Sequence, residues 1–135
     1  MEDFVTYEIA VKLKEKGFNE PCWNAINSFG CTYHNGWLEY LSEQEGEFIV
    51  QNDLKKGDYL LPTIPQVLKW LRETKSIHLD IYTLEGCWAC SIVDLTKKDE
   101  DCDLFNFCVE CLKGGYKSYE EAAIAGIEYV LNNLI

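Results

Sequence analysis

The chain is poor in basic side chains, histidine, proline and long apolar runs. Only 12 of its 135 residues are Lys or Arg, against 23 Asp or Glu, for a net charge of −11. A surface that holds phosphates needs clustered Lys and Arg. The charge balance therefore opposes direct phosphate contact with nucleic acid, and it equally opposes an anionic membrane face. No apolar run approaches the ~20 residues that a membrane-spanning helix needs. The opening MEDFVTYE has no basic stretch ahead of an apolar one, so no secretory signal is expected and the cytosol is the expected compartment. His34 and His78 are the only histidines. The patterns G-x-S-x-G, Walker A, G-x-G-x-x-G and H-E-x-x-H do not occur, so none of the reactions they signal is supported. The expectation leans away from an enzyme.

What is present describes a globular protein. A hydrophobic fraction of 47% and an aromatic fraction of 13% can fill a core. The length suits one domain, and no shift in composition marks a boundary, so residues 1–135 are read as a single α+β domain. The acidity serves solubility, or complements a basic protein partner.

Three helices announce themselves by their ends. YEIAVKLKEK follows Thr6, an N-cap candidate, and carries Ile9, Ala10 and Leu13 on one side. Gly17 then supplies a left-handed C′ residue, and Phe18 can fold back on Leu13. PTIPQVLKWLRETK opens with Thr63 and Gln66 in a T-x-x-Q capping box, with Pro65 in the first turn. Its apolar stripe is Ile64, Val67, Leu68 and Leu71, flanked by Trp70. KSYEEAAIAGIEYVLNNLI opens with a Ser118/Glu121 box and buries Ala123, Ile127, Val130, Leu131 and Leu134. Ala122, Ala125 and Gly126 are small enough for another backbone to come close. Packing on the protein's own sheet is the expectation there, with a homodimer contact as the alternative.

Strand-like runs fill the intervals. They are 22–29, then CTYH and WLEYL around an Asn35-Gly36 hairpin signal, then EFIVQ at 47–51. In IHLDIYT (77–83), Ile77, Leu79 and Ile81 alternate with His78, Asp80 and Tyr82. A turn at Leu84-Glu85-Gly86 leads into CWACSIVDL. LFNFCVECL then runs up to Lys113-Gly114-Gly115, where the strand is expected to end. The expected order is α-βββ-α-βββ-α: antiparallel meanders packed with three helices in two layers.

Two C-x-x-C pairs, Cys87/Cys90 and Cys108/Cys111, stand 17 residues apart, a spacing used by four-cysteine zinc sites. A zinc knuckle folds each pair around a tight turn, and CWACS and CVECL contain neither Gly nor Pro. If both segments are strands, the cysteines of each pair point to opposite faces. No cofactor is therefore expected, and zinc on these four thiolates is the alternative. A thioredoxin-like redox pair is disfavoured because neither pair opens a helix. Seven cysteines is an odd number, and a reducing compartment would keep them as thiols.

The row His78, Asp80, Tyr82 could do acid–base work or, with Trp70, hold a ligand; as a solvated sheet face it would do neither. Lys69 and Arg72 are the cations nearest in sequence to Trp70 that a nucleotide-type ligand could use. Trp23, Tyr33, Trp37, Tyr40 and Tyr59 concentrate aromatics in the first half, as core or as a gripping surface. KKDEDCD (97–103) lacks the central Gly and terminal Glu of a calcium loop and reads as a solvated turn.

Three segments, VTYEIAVKLKEKGF, LPTIPQVLKWLRE and KSYEEAAIAGIEYVLNNLI, together resemble a group of short uncharacterised proteins encoded by phages, prophages and mobile elements of gut Bacteroidales. The resemblance covers about a third of the chain and includes both capping boxes. It implies a bacterial host cytosol and assigns no activity. Residues 63–135 are also similar in element order to a double-stranded-RNA-binding domain, whose last helix opens with lysines. Here that helix opens SYEEAA, which is acidic and opposes RNA binding. Taken together, the expectation is an accessory protein that binds a host or phage protein without catalysis. A small-ligand binder and a zinc module are the alternatives.

Overall fold

The computed structural model describes residues 3–34, 49, 54–96 and 108–135. Side chains are described for these except at 33, 34 and 108–114. Among the described residues the order is α1 (Tyr7–Glu15), β1 (Asn24–Ile26), β2 (Thr32–His34), β3 (Tyr59–Leu61), α2 (Ile64–Thr74), β4 (Ile77–Leu84), β5 (Cys87–Asp94), β6 (Cys108–Tyr116) and α3 (Tyr119–Asn133). The class is α+β, with two small antiparallel sheets. The chain falls into two compact units, Met1–Thr63 and Ile64–Ile135.

In the first unit the helix ends obey their local signals. The Thr6 hydroxyl accepts from the Ile9 amide at 3.3 Å. At the other end Gly17 adopts φ +90°. The Phe18 amide reaches back to the Leu13 carbonyl at 2.9 Å, and the Gly17 amide to Lys14 at 3.1 Å. These two bonds make a Schellman motif. Leu13 and Phe18 are both buried, so the turn also closes an apolar contact region. The three-stranded sheet has the order β2-β1-β3, antiparallel throughout. Its centre, β1, buries Ala25 and Ile26, and α1 lies against β3. Tyr7 meets Tyr59 edge to face at 5.7 Å, and the Lys14 ammonium stands 5.2 Å from the Tyr59 ring centre.

Two features of this unit differ from the sequence reading. The run 22–29 is no single strand. It ends at Ile26, because the Asn27 side chain competes with the ladder. The carboxamide oxygen accepts from the amides of Phe29 and Cys31, each at 3.0 Å. β3 is also new, a three-residue strand just ahead of α2 that pairs with β1. The hairpin read at Asn35-Gly36 and the strand at WLEYL lie outside the described residues. Of EFIVQ only Ile49 is described, and it forms an antiparallel bridge with Cys22.

The second unit is a meander, β4-β5-β6, with both helices on one face. β4 and β5 pair without interruption from Leu84↔Cys87 to Ile77↔Asp94. Glu85 and Gly86 link them with φ +52° and +80°. Two successive positive φ values are the mark of a type I′ turn, which matches the twist of the flanking strands. β6 runs on to Tyr116, past the Gly-Gly expected to stop it. Gly115 takes φ +113°, and the pairing with β5 shifts twice along its length. The glycines make a bulge and do not end the strand.

α3 opens as its sequence signals. The Glu121 amide donates to the Ser118 hydroxyl at 3.1 Å, and the Lys117 amide donates to the Glu121 carboxylate at 2.9 Å. The helix buries Ala122, Ala123, Gly126, Ile127, Val130 and Leu131. Gly126 lies directly over Cys90 and Leu79 of the sheet, and Ala125 is only partly buried. α2 contributes Ile64, Val67, Trp70 and Leu71 to the same core. The Lys75 ammonium sits 5.6 Å from the Trp70 ring centre.

Candidate binding surfaces

Three sets of residues are candidates for function: the cysteine pairs, the polar row on β4, and an exposed aromatic on the β1–β2 turn.

Cys87 and Cys90 both lie on β5, three residues apart, and alternation sends them to opposite faces. Cys90 is fully buried beneath Gly126 of α3, whereas Cys87 is partly exposed beside the Glu85-Gly86 turn. The register places Cys111 opposite Ser91 and Cys108 opposite Val93 on the backbone. The side chains of those two cysteines lie outside the described set. Four thiolates on one zinc ion must meet within about 4 Å of one another. A sheet stands between the sulfurs of Cys87 and Cys90. Trp88 shares the helix-side face with Cys90 and packs edge to face on Tyr119 at 5.7 Å. The pair CWAC thus works as one helix-facing thiol and one on the opposite face.

The polar row is real as a row. His78, Asp80 and Tyr82 project from the face opposite the helices, across from Val93, Ser91 and Ala89. Residues two apart on a strand are about 7 Å apart, so the three side chains are spaced along a line and do not converge on one point. Trp70 does not join them. It is 5% exposed and belongs to α2, on the other side of the sheet. His78, Asp80, Tyr82 and Trp70 therefore form no shared pocket. Asp80 is exposed, and His78 and Tyr82 are half-buried.

The third candidate was not singled out by sequence reasoning. Phe29 is 88% exposed at the tip of the β1–β2 turn. Its backbone is pinned on both sides. The Asn27 carboxamide takes the Phe29 and Cys31 amides, the Gly30 amide donates to the Asn27 carbonyl at 3.0 Å, and the Asn27 amide donates to the Cys31 carbonyl at 3.0 Å. Gly30, at φ +80°, allows the chain to reverse. Trp23, 51% exposed, precedes the same strand. The signal available in the sequence was the N-x-x-G spacing of Asn27 and Gly30, an Asx-type turn that would lift Phe29 out of a strand. Of the aromatics the sequence had grouped, Tyr59 is engaged with Tyr7 and Lys14, and Trp37 and Tyr40 lie outside the described residues.

Among the described residues no three His, Cys, Asp or Glu side chains group as metal ligands, and no helix is long and apolar enough to cross a membrane. No protein-family model, curated protein or solved structure matches this chain.

Proposed function

We propose that this is a non-catalytic binding protein, an accessory protein of a phage or mobile element, and that its partner is a protein with a basic surface around an apolar pocket. The observation that carries this reading is Phe29: a large apolar side chain, 88% exposed, held on a turn whose four hydrogen bonds all involve Asn27. An exposed aromatic on an ordered turn loses little entropy when it enters a partner's pocket. The charge of −11 supplies the second half of the argument. It speeds encounter with a basic protein and repels nucleic acid and anionic lipid. The phage origin rests on the resemblance of the three helical segments alone.

The test is affinity capture from a Bacteroides lysate at low and high salt, with wild type and Phe29→Ala side by side. The reading expects a partner whose capture weakens with salt and is lost with Phe29→Ala, while the melting temperature is unchanged. A partner held equally by both proteins, or no salt-sensitive partner at all, would refute it.

A further inference from the structure

We infer that β4 is a self-association edge: two copies of this chain pair their β4 strands antiparallel about a two-fold axis, with Leu79 facing Leu79 of the second copy. This inference is independent of the function proposed above.

The four outer strands of the two sheets are not equally protected. β3 has three residues, as does β2 among the described residues. β6 carries Lys113, two glycines and two register shifts. Short strands, lysines and bulges are the devices by which edges avoid pairing with other chains. β4 has none of them. It is eight residues long, contains neither Lys nor Pro, and pairs with β5 in unbroken register. Among the described residues no other strand pairs with its outer side.

The hydrogen-bonding phase of β4 follows from its hairpin. A two-residue loop closes on a hydrogen-bonded pair, here Leu84↔Cys87. Tyr82, Asp80 and His78 then also spend their amides and carbonyls on β5. The next position in phase, Ser76, does so: its carbonyl accepts from the Leu95 amide at 2.8 Å. Ile77, Leu79, Ile81 and Thr83 are left with theirs aimed outward.

Only registers that oppose outward-facing residues satisfy those groups. Centring on Leu79 sets Ile77 against Ile81 of the second copy, and Ile81 against Ile77. Three such pairs exchange about six backbone hydrogen bonds. On the same face as the helices this register lines up apolar side chains only. On the opposite face it sets His78 against Asp80 of the second copy, and Asp80 against His78. Two complementary pairs thus form by symmetry. Centring on Asp80 pairs the outward groups as well, Ile77 with Thr83 and Leu79 with Ile81, but it sets the two Asp80 carboxylates directly against each other and His78 against Tyr82. Centring on Ile81 sets His78 against Leu84 and Asp80 against Tyr82, which gains no His–Asp pair. The side-chain chemistry of IHLDIYTL therefore selects the Leu79-centred register.

Sedimentation equilibrium of the full chain from micromolar to millimolar concentration, with hydrogen exchange at both ends of that range, tests this. Wild type is expected to dimerise, with the Ile77, Leu79 and Ile81 amides exchanging more slowly when concentrated. Asp80→Lys removes the acceptor from both His78–Asp80 pairs and adds an edge lysine at an exposed position; it should weaken the dimer about tenfold or more. The charge swap His78→Glu/Asp80→Lys should restore it. A wild type that stays monomeric at millimolar concentration, an Asp80→Lys dimer as tight as wild type, or a swap that fails to recover association with its melting temperature intact would each overturn the proposal.

Discussion

Gly126 offers the most direct test of how α3 meets its sheet. A methyl group built there would stand 2.6 Å from the Cys90 sulfur and 2.7 Å from a Leu79 methyl. Ordinary contact begins near 3.4 Å, so the neighbours must retreat by 3.4 − 2.6 = 0.8 Å, and by 3.4 − 2.7 = 0.7 Å. Neither has room. Cys90 is fully buried and Leu79 nearly so, between helix and strand. Overpacking of this kind costs about 1–3 kcal/mol. Against it stands the helix preference for Ala over Gly, up to about 1 kcal/mol at an interior position. Clash and propensity oppose each other, and the clash is larger. Gly126→Ala should destabilise the protein by about 1–2 kcal/mol, read as a lower urea midpoint at unchanged slope. The cause is separable. Cys90→Ala removes one of the two colliding atoms, so in the double variant the Gly126→Ala cost should fall by roughly 0.5–1 kcal/mol, with the Leu79 contact retaining the rest. If Gly126→Ala is as stable as wild type, or the two changes are additive, α3 does not approach the sheet at this point and the reasoning fails.

Three further outcomes are expected. Glu85→Asn should raise the urea midpoint by the equivalent of about 0.5–1 kcal/mol, because Asn accepts the positive φ that Glu85 is forced to adopt; a loss of stability would show that the turn is not type I′. Ser118→Ala should cost about 1 kcal/mol, since it orphans the Glu121 amide at the start of α3; no change in thermal melting would contradict the cap. Protein purified without chelator should hold less than about a tenth of an equivalent of zinc by elemental analysis, because Cys87 and Cys90 face opposite ways; one equivalent per chain would mean that CWAC folds as a knuckle and not as a strand.

What could be read from the sequence was what is decided locally. Thr6, Gly17, Ser118 and Glu121 act within four residues of the groups they bond, so their roles are written in short segments. The alternation of 77–83 was equally legible, because the helix-side face of β4 buries Ile77 and Leu79 while Asp80 on the other face is exposed. It also placed the two thiols of CWAC on opposite faces of a strand, where spacing alone suggested a metal. Pairing between distant segments was not legible. β3 is three residues long, too short to show a period, and exists because β1 offers it an edge. The break after Ile26 was missed because apolar content suggested a strand, while the Asn27 carboxamide offered the backbone a better set of bonds. The continuation of β6 through two glycines was hidden for the related reason that a bulge depends on the partner strand. Trp70 stood near the His78 row only in sequence; the sheet separates them.

The central claim is that this chain binds a protein through the Phe29 turn, and titration calorimetry of the captured partner against wild type and Phe29→Ala tests it most directly. Removing a buried aromatic anchor should weaken binding by about 2 kcal/mol or more, roughly thirtyfold in Kd, with the fold intact by circular dichroism. Equal affinity of the two proteins at the same salt would contradict it.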